Sequence, residues 1–332
     1  MRKRVLISGG AGYVGRALSR ELYTTHDVCV VDTLTFGPDR LSPKDLDHIQ
    51  LETLDILDLP ALTAVVERFR PDVIVHLAAI HFIPLCENQP GFSTATNVVG
   101  LVNLLSACPP DCRFVFASSG AVYAPSDDLH DEAASEIGPR DVYGLNKLHG
   151  EGYVRYFAET RRLSTVIVRL FNVAGPGETN PHLLPEIIAQ LKAGLTTIRL
   201  GNMWPKRDYI HVADAARGFA AVALRGEVPP GETVTVNLGT AQQYSVEEIL
   251  ERLRAITGLD IVVEHDPSRA RAVDRPYLGA DIRRIEAGFG WRPQHDIQDA
   301  LSDLWAAPDL SPQLTARYNL AAEPQPRKVA AP

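Results

Sequence analysis

The stretch Val5-Leu-Ile-Ser-Gly9-Gly-Ala-Gly12-Tyr-Val-Gly15 decides the fold. Residues 5–8 form an apolar run ended by glycine, which predicts a fully buried first strand, and residues 13 to about 23 predict a helix. The glycines allow a tight turn and let backbone come close to a pyrophosphate at the helix N-terminus. Their spacing is G-x-x-G-x-x-G rather than G-x-G-x-x-G, and a plain strand-to-helix turn is the alternative. The context favours the dinucleotide reading: a strand before, a helix after, and Asp32 standing 17 residues beyond Gly15 at the end of a second apolar run. A carboxylate there can accept both adenosine ribose hydroxyls and would repel a 2′-phosphate. Thr33-Leu34 offers no arginine in its place, so the expected cofactor is NAD rather than NADP. A strand-end turn cap is the other reading of Asp32. Asp55-Ile56 could bracket the adenine or simply end a strand.

Working outward, strands at 28–32, 73–78, 113–118 and 166–170 alternate with helices at 59–69, 92–108 and 143–159, and a third strand ends at Asp55-Ile56. Such alternation implies an α/β fold, a Rossmann-type doubly wound parallel sheet with right-handed crossovers and helices on both faces. The pattern loosens after Asn172, where Pro176, Pro181 and Pro185 precede a helix ending at Lys192. Short strands at 198–200, 234–238 and 261–264 and a helix at 246–257 follow. The expected organisation is an NAD-binding domain over 1–172, rejoined by segments near 208–240, and a smaller discontinuous α/β substrate lobe mainly over 173–304. Residues 308–332, rich in Pro, Ala and Gln, read as a flexible tail.

Composition narrows the function. With 33 basic against 41 acidic residues, a net charge of −8 argues against a general nucleic-acid or anionic-membrane binder. An anionic substrate would need locally placed arginines. Cys29, Cys86, Cys108 and Cys112 show no C-x-x-C spacing, so no metal site is expected and a reducing cytoplasm is favoured. The basic Arg2-Lys-Arg4 precedes an apolar run that stops at Ser8-Gly9, too short for a signal peptide or a membrane span.

Chemistry enters with Tyr143-Gly-Leu-Asn-Lys147 and with Ser119, 24 residues before the tyrosine. A Tyr-x-x-x-Lys pair on a helix puts both side chains on one face. An ammonium beside a phenol favours the phenolate, so Tyr143 can serve as a base with its pKa lowered by Lys147. Ser119 supplies a second hydrogen bond to the same substrate oxygen. With a dinucleotide turn upstream, these groups suit proton removal from an alcohol whose hydride leaves for nicotinamide.

Here the chain resembles the extended short-chain dehydrogenase/reductases of the nucleotide-sugar epimerase/dehydratase family. The likeness runs from residue 1 to about 304. It is carried by the 9–15 turn, Val31-Asp32, His76-Leu-Ala-Ala79, Asn97, Ser118-Ser-Gly-Ala-Val-Tyr123, Tyr143 to Lys147, Arg169-Leu-Phe-Asn172 and Arg207-Asp-Tyr-Ile-His211. The resemblance implies that NAD lies against Gly9, Gly12, Tyr13, Val14, Gly15, Asp32, Asp55, Ile56, Leu77, Ala78, Ala79, Tyr143 and Lys147, with Asn97 bonding main chain to shape the site. It implies a nucleotide-diphosphate sugar held by His81, Ser119, Asn172, His182, Arg207, Arg271 and Asp274, the two arginines clamping pyrophosphate. Arg269 and Arg275 compete with Arg271 for that role. His81 stands where related hexose epimerases often have lysine, and a packed histidine is its alternative.

Two departures direct the reading. Related 4,6-dehydratases carry Asp-Glu directly after the catalytic hydroxyl residue, and related decarboxylases keep the glutamate; here Gly120 and Ala121 stand in those places. The loop from Gly175 to His182 has no arginine for a uronic carboxylate. What the resemblance then implies is an NAD-dependent 4-epimerase of the UDP-glucose/UDP-galactose type, working through a transient 4-keto sugar. A relative acting on a uronic or amino sugar nucleotide and a non-catalytic NAD-binding redox sensor are the alternatives. The resemblance also implies a homodimer through helices 92–108 and 143–159, with Leu101, Leu105, Leu148 and Phe157 at the seam.

Overall fold

The computed structural model describes residues 1–35, 40–178, 182–267 and 276–307. The tail expected over 308–332 lies outside them. The chain opens β1 (Arg4–Ser8), α1 (Tyr13–Leu22), β2 (Asp27–Asp32), α2 (Pro43–Leu46), β3 (Ile49–Thr53), α3 (Leu59–Phe69) and β4 (Val73–His76). It continues through α4 (Ile83–Asn88), α5 (Pro90–Thr94), a π-helical turn (Ala95–Val99), α6 (Gly100–Ala107), β5 (Arg113–Ser119), α7 (Val142–Arg161) and β6 (Ser164–Leu170). A seventh strand of the same sheet, Thr233–Leu238, pairs in parallel with β6. The spatial order, with that strand at one edge, runs through β6, β5, β4, β1 and β2 to β3. The order reverses between β1 and β4, which leaves a crevice at the carboxyl ends of those two strands.

Period-two alternation along the strands builds both faces. Val5 and Ile7 of β1, Val28 and Val30 of β2, and Val115 and Ala117 of β5 pack into one core with Leu18 and Leu22 of α1. Leu6, Cys29, Val31, Phe114 and Phe116 pack into the other with Leu62 and Val66 of α3, Leu104 of α6 and Val154 of α7. Each fully buried aliphatic side chain is worth about 1.5–3 kcal/mol, so these stripes, more than helix propensity, hold the helices to the sheet. No described helix is long and apolar enough to cross a membrane.

The remaining elements are β7 (Asn172–Ala174), α8 (Leu183–Lys192), β8 (Thr197–Leu200), β9 (Lys206–Arg207), β10 (Tyr209–His211), α9 (Val212–Leu224), the sheet strand already given, here β11, α10 (Val246–Thr257), β12 (Val262–His265), β13 (Tyr277–Leu278), α11 (Arg283–Phe289) and α12 (Ile297–Ala306). Helix α9 packs on the sheet through Phe219 and Val222. A third core gathers Ile187 and Leu191 of α8, Ile198 of β8, Ile249 and Leu253 of α10 and Leu301 of α12.

Two expectations are corrected and a third is refined. The third strand ends at Thr53, and Asp55 and Ile56 sit in the following turn. The helix expected over 92–108 runs continuously but carries a π-helical segment at 95–99. Leu101 and Leu105 are 0% exposed and Leu148 and Phe157 pack against the cores, so none of the four is a surface seam. Alternation told which residues are apolar, and the sheet claimed them first. The apolar side chains these helices do expose are Phe92, Val99, Leu145, Tyr153 and Tyr156.

A buried polar cluster fixes α7 on the sheet. Glu151 is fully buried and takes both Arg169 of β6 (2.9 and 2.8 Å) and the Ser118 hydroxyl of β5 (2.7 Å). Burial by itself would raise the Glu151 carboxyl, but the Arg169 hydrogen bonds and charge, with Ser118, leave it below its ordinary 4.5. Removing one partner of such a pair leaves an uncompensated buried charge, so Glu151→Gln is expected to cost about 3–5 kcal/mol in denaturant unfolding. Because the folded-state value is depressed, the stabilisation is complete above the unfolded value of 4.5 and is lost as pH falls below it. Denaturation midpoints measured across acid pH should show that loss in the wild type and its absence in the variant.

Candidate active site

The crevice between β1 and β4 opens into a cavity of about 1150 Å³. At its floor Gly9 takes φ +74°, and a Cβ there would meet the Ala78 backbone nitrogen at 2.6 Å. A Cβ on Gly15 would sit 2.2 Å from the Gly9 carbonyl oxygen, so α1 can start this close to the turn only with glycine. Gly12 caps α1 with no side-chain hydrogen bond, leaving the first N–H groups of the helix for a ligand. The Asp32 carboxylate accepts from the Ala11 N–H (3.0 Å) and the Leu34 N–H (2.9 Å), which fixes it beside the turn. Together these features fit a dinucleotide: a narrow cradle that any Cβ would fill, unused helix N–H groups, and a held carboxylate.

The cavity also brings together Tyr13, Val14, Asp55, Ile56, Leu77, Ala78, Ala79, His81, Ser119, Tyr143, Lys147, Asn172, His182 and Arg207. Asn97 is not in its wall. Its side chain accepts from the Ile80 N–H (2.7 Å) and donates to the Ile80 carbonyl (2.9 Å), holding the chain between Ala79 and His81. It thus braces the wall from behind by bonding main chain, as the resemblance implied. Arg271 and Asp274 lie outside the described residues.

Ser119 ends β5 and Tyr143 stands in the first turn of α7, whose N-terminus is capped by Asp141 accepting from the Gly144 N–H (2.7 Å). Lys147, one turn on, is buried and donates from Nζ to the Ala117 carbonyl (2.7 Å), 5.6 Å from the Tyr143 ring centre. Burial lowers the ammonium to about 8. The same burial raises the Tyr143 phenol well above 10, and a hydrogen bond with Ser119 offsets only part of the rise. One N–H of the Lys147 ammonium is thus engaged with a backbone carbonyl beside the phenol. A positive charge brought beside the phenol would favour the phenolate.

On the opposite wall, the rings of His81 and His182 lie 5.7 Å apart. His81 keeps solvent contact on its cavity side, and the protein packed round the ring lowers its pKa from the ordinary histidine value. Arg207 is carried on β9, whose neighbour Asp208 is fully buried and accepts from the Thr240, Ala241 and Ala280 N–H groups. That carboxyl is pushed up to about 6 by burial, which its hydrogen bonds only partly oppose. Ala121 lines the cavity, and a Cβ on Gly120 would press on the Phe171 ring at 3.1–3.3 Å. Two carboxylates at the start of α7 serve the backbone: Asp141 as the cap, and Glu87 accepting from the Val142 N–H (2.8 Å). Sequence reasoning missed Arg40 and Glu178, which line the cavity, and Arg16, which is buried behind Tyr13. Only the position of Arg16 directly after the third glycine could have drawn notice.

The model of the NAD dependent epimerase/dehydratase family matches residues 5–239. The UDP-glucose 4-epimerase of Corynebacterium glutamicum is 29% identical over 322 residues, covering 91% of this chain and 95% of the relative. The dTDP-glucose 4,6-dehydratase of Neisseria meningitidis is also 29% identical, covering 90% and 91%. Overall identity therefore does not separate the two reactions, and the site residues must. Among solved structures, UDP-glucose-4-epimerase from Stenotrophomonas maltophila with bound NAD and formylated UDP-arabinopyranose superposes with a TM-score of 0.81 at 28% identity, covering 92% of this chain and 97% of the other.

Tyr143→Phe removes the proton-carrying oxygen while keeping the ring in place. The variant is expected to fold and to bind cofactor but to lose about 10²–10⁴-fold in kcat, the range typical of general acid–base catalysis. Steady-state assay on a nucleotide sugar checks this, and wild-type turnover would place the chemistry elsewhere.

Proposed function

Because this chain belongs to the NAD dependent epimerase/dehydratase family, we propose that the cavity inverts the C4 hydroxyl of a nucleotide-diphosphate sugar, with UDP-glucose and UDP-galactose as the substrate type. The observation that carries the reading is Ser119, Tyr143 and Lys147 gathered at the crevice while Gly120 and Ala121 stand where elimination would need an acid and a base. NAD is the cofactor; held by the 9–15 turn, Asp32 and the 77–79 segment, it supplies a hydride acceptor that also gives the hydride back.

The protein groups do the rest. Tyr143 takes the proton of the sugar hydroxyl and later returns it. Ser119, which lines the cavity with Tyr143, shares that proton and holds the sugar oxygen in line. Lys147, fixed on the Ala117 carbonyl, keeps a positive charge near the phenol through the cycle. The 4-keto sugar has to turn over between the two transfers while its diphosphate stays in place. Arg207 and Asn172, on β9 and β7, line the same cavity and suit that anchoring, and the His81 and His182 rings suit sugar hydroxyls.

The product is expected to be an isomer of the substrate. In deuterated water its mass should be unchanged and its C5 should carry no solvent deuterium, as read by mass spectrometry and proton NMR. A product lighter by one water would mean that another acid–base pair acts here.

The same reading extends to assembly. Phe92, Val99, Leu145, Tyr153 and Tyr156, the last 61% exposed, form an apolar face on neighbouring helices that supports pairing with a second copy. Light scattering at micromolar concentration is expected to give the mass of a dimer, and a monomer mass would refute the pairing. The four cysteines are unpaired buried thiols, which supports a reducing cytoplasmic setting.

A further inference from the structure

Tyr13 and Arg16 stand on one face of the first turns of α1, and both reach a segment some 160 residues further along the chain. The Tyr13 hydroxyl donates to the Gly175 carbonyl (2.9 Å). The Arg16 guanidinium donates through one nitrogen to the Ala11 carbonyl inside the glycine turn (3.1 Å) and through another to the Gly177 carbonyl (2.9 Å). Gly175 and Gly177 take φ values of +130° and +88°, conformations that side chains rarely allow. The segment is thus shaped to present two carbonyls to one helix face. Glu178, which ends it, lines the cavity together with Tyr13, Gly12 and Gly15.

A guanidinium is costly to bury, and Arg16 is only 8% exposed. Burial, together with the charges of Arg40 and Arg20, weakens its hold on its proton to about 10, while Tyr13 and Glu178 pull the other way. Packing alone would be served by an aliphatic side chain at this position. What an arginine adds is a fork that bonds the glycine turn and the 175–178 segment at once, which neither lysine nor leucine can do.

We propose that Arg16 and Tyr13 are positioning residues that latch the 175–178 segment against the helix end bearing the dinucleotide, and so set how slowly NAD leaves. The inference rests on the NAD reading of the cavity. It matters for this reaction because the cofactor ends each cycle as it began, so a site that retains it loses nothing by opening slowly.

The test is NAD exchange on the full chain, by loading radiolabelled NAD, chasing with unlabelled NAD, and measuring acid-released NAD after gel filtration. Wild type is expected to exchange slowly. Arg16→Ala and Tyr13→Phe should each accelerate exchange about tenfold, the size of one lost hydrogen bond to a charged or buried group, and Arg16→Lys should fall between. Arg161→Ala is the control for general loosening, since Arg161 binds the Leu105, Ser106 and Cys108 carbonyls at the end of α6. It should exchange like wild type even with a lower melting temperature. Wild-type exchange in Arg16→Lys and Tyr13→Phe overturns the latch, as does equal acceleration in Arg161→Ala; should Arg16→Ala not fold, those three variants decide. Wild-type protein that neither carries nor binds NAD would overturn the cofactor reading instead.

Discussion

The close approach of α1 to the turn that precedes it is the constraint on which the rest of the structure depends. With a Cβ on Gly15 only 2.2 Å from the Gly9 oxygen, helix and turn could not both keep their places. Held this close, the helix aims its unused N–H groups into the crevice, where the positive end of its dipole favours an anionic ligand. Asp32 belongs to the same unit, because its carboxylate accepts the Ala11 N–H and so ties the end of β2 to the turn. The sheet order then does the positioning. Since strands run outward on either side of β1 and β4, the turn, the 77–79 segment and the end of β5 all face one opening.

The opposite wall is held by buried charge rather than by glycine. Glu151, one turn beyond Lys147 on α7, grips Arg169 of β6 and Ser118 of β5, and Ser118 adjoins the Ser119 that meets Tyr143. A buried ion pair contributes little net stability against an apolar replacement, but it admits one register of helix against sheet. On the same helix Lys147 reaches the Ala117 carbonyl, and Tyr143 lines the cavity together with Ser119. The resulting electrostatics are those of a site at rest: a phenol that burial keeps protonated and an ammonium that burial weakens. Further positive charge beside the phenol would favour the phenolate.

Two similar chemistries are separated here by very few atoms. Relatives with equal overall identity include a 4-epimerase and a 4,6-dehydratase, so the scaffold is common to both reactions. Position 121 carries a methyl group in the cavity wall, and position 120 has a phenyl ring pressed against it, so neither can hold or deliver a proton. The carboxylates near Tyr143 are engaged with backbone N–H groups at the start of α7. On the proposed reading, the outcome depends on what the wall lacks at 120 and 121, with Ser119, Tyr143 and Lys147 as the groups common to both reactions.

Local pattern in the sequence was enough for the glycine turn, the alternating strands and helices, and the Tyr143–Lys147 spacing, because each is set by residues within a few positions of one another. Apolar periodicity marked Leu101 and Leu105 as one helix stripe but could not say whether sheet or solvent lay opposite, and the sheet took them. The use of Lys147 on the Ala117 carbonyl was likewise decided by a neighbour distant in the chain. So was the bond from Arg16 to Gly177, whose two ends are 161 residues apart. Hydrogen-bond partners and burial belong to the assembled core: a residue's type limits which bonds it can make, and only the packing of remote segments chooses among them.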